Sequence, residues 1–195
     1  IETYQALVKD LQTMVICVAY WGSDTHGMLL RKIFARICDN LSPKGGNYAL
    51  LSLRWYPLLL LAYSAGVAAV AGRKYENLAA ILTTQLKFPA ERGSAYELVL
   101  LLGEAGSDMD DTGIFKGLSK EYARFHVPRS EYLYKILQPL IEEYLFLGND
   151  YESSFDTFEI FLALVHVDLY KQKKGRAWGP LGRFAWKQLR RDEGP

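Results

Sequence analysis

The sequence has few of the residues that build a disulfide framework or a metal site. It contains two cysteines, Cys17 and Cys38, and three histidines in 195 residues. Both cysteines lie in helix-like apolar stretches and no C-x-x-C occurs, so we expect two reduced thiols in the core of a cytoplasmic protein. The histidines form no triad and no zinc-binding spacing. We therefore predict no catalytic, metal-binding or cofactor-binding residues.

Excess charge, nucleotide motifs and a leader are lacking as well. The net charge is +1, so no overall field attracts nucleic acid or acidic membranes. Neither a P-loop nor G-x-G-x-x-G is present. The first residues, IETYQALVKDLQ, lack the basic and apolar regions of a signal peptide. Because the chain starts at Ile1, we expect a single domain, 1–195, excised from a longer chain.

No stretch shows sustained alternation of polar and apolar residues between hairpin turns, so we predict no β-sheet. The apolar residues follow a helical period instead. In the first segment the apolar stripe comprises Leu7, Leu11, Met14, Val15 and Val18. We predict an all-α fold, a helical bundle of about eight to nine helices in which short loops join antiparallel helix hairpins.

Residues 55–72 contain no charge, and Arg54 and Arg73 lie just outside each end. The stretch is barely long enough to cross a membrane, and much of it is alanine, glycine, serine and tyrosine. A helix that is apolar all round is buried all round. We therefore predict a central core helix that begins at Pro57 and stops at Gly72, rather than a membrane span.

Further boundaries follow from turn residues and periodicity. We expect a helix over 75–87, a short apolar helix followed by a polar loop at 106–113, and an amphipathic segment at 114–126. The segment 130–148 predicts one helix kinked at Pro139 or two abutting helices. The helix after residue 150 should bury Phe155, Phe158 and Leu162 and expose Glu152, Asp156 and Glu159. The loop DMDDTG starts like a calcium loop, but Ser119 stands where the bidentate glutamate is needed, so we do not predict calcium binding.

The most suggestive feature for function is the basic tail 171–191, which has eight Lys or Arg residues, no acid and three aromatic rings. Basic residues interleaved with aromatics bind phosphates and stack bases. The preceding residues 136–170 contain seven acids and no Lys or Arg, which favours a tail docked on its own domain as a last helix from about 180. The candidate residues for nucleic-acid or partner binding are Lys171, Lys173, Lys174, Arg176, Trp178, Arg183, Lys187, Arg190 and Arg191.

Three stretches carry a resemblance: LRWYPLLLLAYSAGVAAVAGRKYENL (53–78), YESSFDTFEIFLALVHVDL (151–169) and WGPLGRFAWK (178–187). Together they resemble an α-helical C-terminal region of bacterial multidomain proteins. The N-terminal modules of those proteins are sirtuin-like, TIR-like or nucleotide-binding, and some of the proteins act in anti-phage defence. The resemblance implies a fold and no catalytic residues.

Our first hypothesis for function is a non-enzymatic accessory domain for sensing, protein interaction or assembly, without a cofactor. It would bind a protein partner or the rest of its own chain, with homo-oligomerisation left open. The alternative hypothesis is a nucleic-acid-binding module that uses the tail 171–191. A free-standing helical enzyme with an unrecognised pocket is the third.

Overall fold

The computed structural model describes residues 1–39, 48–87 and 95–187. Within these ranges the chain forms nine α-helices and two short strands, which confirms the predicted all-α class. The helices are α1 (Glu2–Trp21), α2 (Gly27–Cys38), α3 (Tyr48–Ser52), α4 (Tyr56–Ala71), α5 (Tyr75–Leu82), α6 (Leu98–Asp111), α7 (Ile114–Gly117), α8 (Pro128–Leu145) and α9 (Asp150–Lys174). The strands are β1 (Gln85–Lys87) and β2 (Ala95–Glu97).

Helix α4 is the centre of the bundle, as its uniform apolarity predicts. Of its 16 residues, 13 are buried, and it packs against α1, α5, α8 and α9. Pro57 occupies its first turn and Gly72 follows its end. Leu50–Ala71 is the one stretch among the described residues that is long and apolar enough to span a membrane, and 72% of its apolar window is buried inside the protein. Packing inside the bundle therefore accounts for its composition.

The face that α1 turns to the core differs from the predicted stripe. Leu7 and Met14 are 75% and 60% exposed, whereas Val15 is buried. The contact with α4 uses the neighbouring face of α1, where the Gln12 side-chain amide donates a hydrogen bond of 3.0 Å to Ser64 Oγ. The buried face of α1 therefore includes a polar pair and lies beside the predicted apolar stripe.

A small antiparallel sheet corrects the prediction that no strands occur. Gln85 pairs with Glu97 and Lys87 with Ala95. The predicted helix 75–87 accordingly ends at Leu82 and continues into β1. Strands of three residues are too short to show a recognisable alternation of polar and apolar positions, which explains why the sequence pattern missed them.

Helix α6 runs through the predicted polar loop 106–113 as far as Asp111. Met109 is fully buried, and the carboxylate of Asp110 pairs with Arg129 at 3.1 Å, so both residues anchor this last part of the helix. The predicted amphipathic segment 114–126 contains only α7 and a 3₁₀ turn at Tyr122–Arg124.

Helices α8 and α9 position the tail. Pro139 lies inside α8, which is one helix throughout. Helix α9 buries Phe155, Phe158 and Leu162 against α4, as predicted. After α9 the described chain forms a 3₁₀ turn at Arg183–Trp186. Most of the last helix predicted from about 180 lies outside the described residues.

Candidate functional site at the end of helix α9

The C-terminal segment, residues 175–187, follows α9. Gly175 ends the helix with a positive φ of 71°, a conformation that glycine adopts without strain. The predicted binding residues within this segment form two groups: Arg183 and Lys187 pair with carboxylates of the domain, and Arg176 and Trp178 line a cavity. Arg190 and Arg191 lie outside the described residues.

Arg183 is docked in an acidic cup formed by Glu131, Glu152 and Asp156. Its guanidinium lies 3.5 Å from the Glu131 carboxylate, 3.2 Å from Glu152 and 3.0 Å from Asp156. It also covers the ring of Tyr134, 3.8 Å from the centroid. The side chain is only 9% exposed. These contacts satisfy the charge of Arg183 within the chain.

Lys187 closes the open side of the acidic cup. Its ammonium contacts Glu152 at 2.6 Å and also pairs with Asp156. The hydrogen bond from Lys187 lowers the pKa of Glu152, because it favours the ionised carboxylate. The predicted pairing of the basic tail with the acidic region is thus confirmed for Arg183 and Lys187, and these two cations have carboxylate partners already.

Glu159 lies beneath the acidic cup, 2% exposed, although the sequence pattern places it on the wet face of α9. Its carboxylate accepts hydrogen bonds from Tyr63 (3.1 Å), Ser130 (2.6 Å) and the backbone N–H of Arg183 (3.0 Å). Burial raises the pKa of Glu159 to about 7, although these hydrogen bonds favour the charged form. A Cβ on Gly182 would overlap this carboxylate, so only glycine lets the segment approach α9 here.

The three lysines at the end of α9 lie in its last turn, where cations complement the helix dipole. Lys173 pairs with Glu97 of β2. Lys171 and Lys174 are exposed. The helix dipole alone therefore accounts for three lysines at the end of α9, and no ligand is needed to explain them.

Arg176 and Trp178 lie apart from the docked group, beside Tyr170. The carbonyl of Trp178 accepts a hydrogen bond from His166 Nδ1 at 3.1 Å. The His166 ring stacks on Tyr170 and meets the Trp178 ring edge-on, with centroid distances of 5.7 and 5.1 Å. His166 is fully buried, and this desolvation lowers its pKa. The rings of His166 and Tyr170 contact the Trp178 indole and hold it in place, and Trp178 is still 40% exposed.

The exposed indole borders an open cavity of about 460 Å³, which we call the Trp178 cavity. Its walls come from α6 on one side and from the end of α9 with the C-terminal segment on the other. The lining residues are Glu104, Ser107, Asp108, Tyr170, Arg176, Ala177 and Trp178. Two aromatic rings, a guanidinium and two carboxylates thus face one space, which is of the size that ligand pockets occupy.

A second cavity of about 380 Å³ lies between α1 and α8 and is bordered by Pro139. The side-chain amides on its wall already donate hydrogen bonds to residues of the bundle. The Gln5 amide donates hydrogen bonds to Tyr56 and Tyr132, and Gln12 donates to Ser64. None of the described residues that line this cavity is aromatic. We therefore take the Trp178 cavity as the better candidate.

Sequence reasoning identified Arg176 and Trp178 but missed Glu104, Asp108 and Tyr170. The two acids are separated from the tail by more than sixty residues, and only the packing of α6 on α9 joins them. Residues four apart in one helix lie on the same face of that helix. The sequence pattern did not show this for Glu104 and Asp108, because it assigned the first to a short helix and the second to a loop. Among the described residues no group of three metal-ligating side chains comes together.

Comparison with known proteins provides no relative: no protein family, curated protein or solved structure matches the chain. The site is therefore interpreted from its own geometry.

Proposed function

We propose that the chain is a non-enzymatic helical accessory domain that senses a ligand in the Trp178 cavity. The observation that carries this proposal is the cavity itself. A partly exposed indole is held in place from behind by buried His166, and polar side chains from two separate helices face the same space. A fixed aromatic wall with a few convergent polar groups is the usual form of a small-molecule site.

The placement of the reactive side chains supports binding rather than catalysis. Burial raises the pKa of Cys38 to about 12, so its thiol stays protonated and unreactive at neutral pH. Glu159 is enclosed by its hydrogen-bond donors, and His166 is sealed under Trp178. These groups stabilise the fold, whereas the groups that line the cavity suit recognition.

In this proposal the domain reports occupancy of the cavity to an effector elsewhere in a cytoplasmic, bacterial multidomain protein. The resemblance to C-terminal regions of defence-type proteins supports that setting. The C-terminal segment provides a route for the signal, because it contributes Arg176 and Trp178 to the cavity and Arg183 to the acidic cup. A ligand that moves Trp178 would therefore act on the docking of Arg183.

A thermal-shift experiment on the full chain tests the proposal. The panel contains choline as a cation, inorganic phosphate and AMP as anions, and indole as a neutral ring. A ligand at about 100 times its Kd stabilises the folded state by about 2.7 kcal/mol, so we expect one class to raise Tm by about 5–10 °C. The shift should disappear in W178L and persist in W21A, which removes an indole that is 58% exposed away from the cavity. A panel without any Trp178-dependent shift contradicts the proposal.

Nucleic-acid binding by the tail is a second candidate. It is favoured by the exposure of Lys171, Lys174 and Trp178. It is weakened by the carboxylate partners of Arg183 and Lys187 and by the two carboxylates beside Trp178. Accordingly, we rank it below ligand sensing.

A further inference from the structure

We infer that the ligand of the Trp178 cavity is an organic cation, a compound or side chain that carries an ammonium or guanidinium group. This inference rests on the proposed function, because it concerns the same cavity. It follows from the charges on the cavity wall and from the chain's own cation at its rim.

The two cavity carboxylates differ from neighbouring acids in their ion pairing. Glu104 and Asp108 form no ion pair among the residues that the structure describes. Their neighbours behave differently: Asp110 on the same helix pairs with Arg129, and Glu97 pairs with Lys173. Among the described residues that line the cavity, Arg176 is the one cation, so this described lining of two carboxylates and one guanidinium has a formal charge of −1. The field inside the cavity therefore favours a cation.

The aromatic wall already holds a cation. The guanidinium of Arg176 lies over the Tyr170 ring, 5.9 Å from the centroid, and donates a hydrogen bond of 3.1 Å to the Tyr170 hydroxyl. Because Arg176 itself is exposed, a competing cation can reach this place. Aromatic faces combined with carboxylates are the groups that recognise ammonium ligands. A cationic ligand would therefore compete with the Arg176 guanidinium for the Tyr170 ring.

The ammonium or guanidinium group could belong to a free small cation or to a lysine or arginine side chain of a peptide. An anionic ligand is disfavoured, since its phosphate would face Glu104 and Asp108. The same substitution in the cavity should therefore change the affinities for cations and for anions in opposite directions, and the experiment measures both affinities.

The test is isothermal titration of the full chain with four probes: choline, agmatine, a short lysine-containing peptide and AMP. R176A should strengthen binding of the cationic probes severalfold, because it removes a like charge. E104Q and D108N should each weaken it about three- to tenfold by removing a carboxylate partner. Matched controls are K174A and E143Q, which change the same charges on exposed side chains outside this cavity. Arg176 and Glu104 are exposed, so these variants should keep the fold, as circular dichroism will verify.

Each outcome decides the inference. Binding of choline or agmatine supports it with a free cation as the source, and binding of the peptide alone supports it with a partner's side chain as the source. If AMP binds instead, weakened by R176A and strengthened by E104Q, the organic cation is refuted while ligand sensing stands. If no probe binds but another compound of the thermal-shift panel gives a Trp178-dependent shift, the organic cation is refuted while ligand sensing stands. If no compound of that panel gives such a shift either, the inference and the proposed function fail together.

Discussion

The backbone N–H of Arg183 donates a hydrogen bond of 3.0 Å to the buried carboxylate of Glu159. The same residue places its guanidinium in the acidic cup, so one position ties the C-terminal segment to α9 through both its main chain and its side chain. The segment is therefore part of the folded domain at least as far as this residue.

We predict that R183A strongly destabilises the domain. Removing the guanidinium takes an ion-pair partner from Glu131 and from Asp156, whose side chains are 5% and 14% exposed. Breaking a buried ion pair costs about 3–5 kcal/mol, and we expect the lower end of this range because Lys187 still contacts Asp156. Denaturant unfolding gives the value. R183K should lower the free energy of unfolding less than R183A does, because it keeps the positive charge. It should still be less stable than the natural protein, because lysine lacks the planar guanidinium that covers Tyr134.

The control for this prediction is K174A, which removes one positive charge from an exposed position. It should change the free energy of unfolding by less than about 0.5 kcal/mol. An R183A protein as stable as K174A would contradict the docking described here.

We predict that Glu159 makes the stability depend on pH. Its pKa rises from 4.5 to about 7 on folding, so the folded state holds a proton that the unfolded state releases in this window. The stabilisation is complete below pH 4.5 and is lost as the pH rises through 7, by about 3 kcal/mol at most. His166 acts oppositely below pH 6.5, since burial lowers its pKa.

The difference between E159Q and the natural protein separates these two effects. E159Q cannot ionise, so its stability relative to the natural protein should rise between pH 5 and 7 and stay constant above pH 7. Unfolding curves at four or five pH values measure this difference. A difference that does not vary with pH would show that Glu159 keeps one protonation state. E143Q, at an exposed glutamate, is the control.

We predict that G182A detaches the C-terminal segment. The added methyl group would overlap the Glu159 carboxylate, which is itself held by Ser130 and Tyr63 and has no room to move away. Trypsin should then cleave after Arg183 or Lys187 at least tenfold faster than in the natural protein, because both side chains leave the acidic cup. G117A is the matched control, since a Cβ there meets no atom within 4 Å. Equal cleavage of the two variants would refute the close approach at Gly182.

We predict weak binding of nucleic acid. Fluorescence anisotropy with a labelled single-stranded oligonucleotide at physiological salt should give a Kd no tighter than about 10⁻⁴ M, the weak end of non-specific binding. The reason is that Arg183, Lys187 and Lys173 have carboxylate partners already. Tight binding that falls steeply with salt and is lost in the K173A/K174A/R176A triple variant would instead establish the tail as a nucleic-acid site.

The architecture was largely readable from the sequence, and the site was readable only in part. Helix α4 was predictable because the stretch 58–71, between Pro57 and Gly72, contains no charged residue on any face. The pairing of Arg183 was foreseeable in outline, because an acidic region precedes a basic one. The burial of Glu159 was not foreseeable, since it depends on Ser130 and Tyr63 from two other helices. Likewise Asp108 joins the cavity only because α6 continues past the point where polar residues suggested a loop.

The position of Arg183 late in the chain has a consequence for synthesis. Helices α8 and α9 present Glu131 and Asp156 before their cationic partner Arg183 has been translated. Until residue 183 emerges from the ribosome, these carboxylates must stay hydrated, so α8 and α9 cannot close fully on the rest of the bundle. The fold is therefore completed only when this arginine has been synthesised, and a recombinant fragment that ends before Arg183 should be obtained only as a loosely packed, protease-sensitive product.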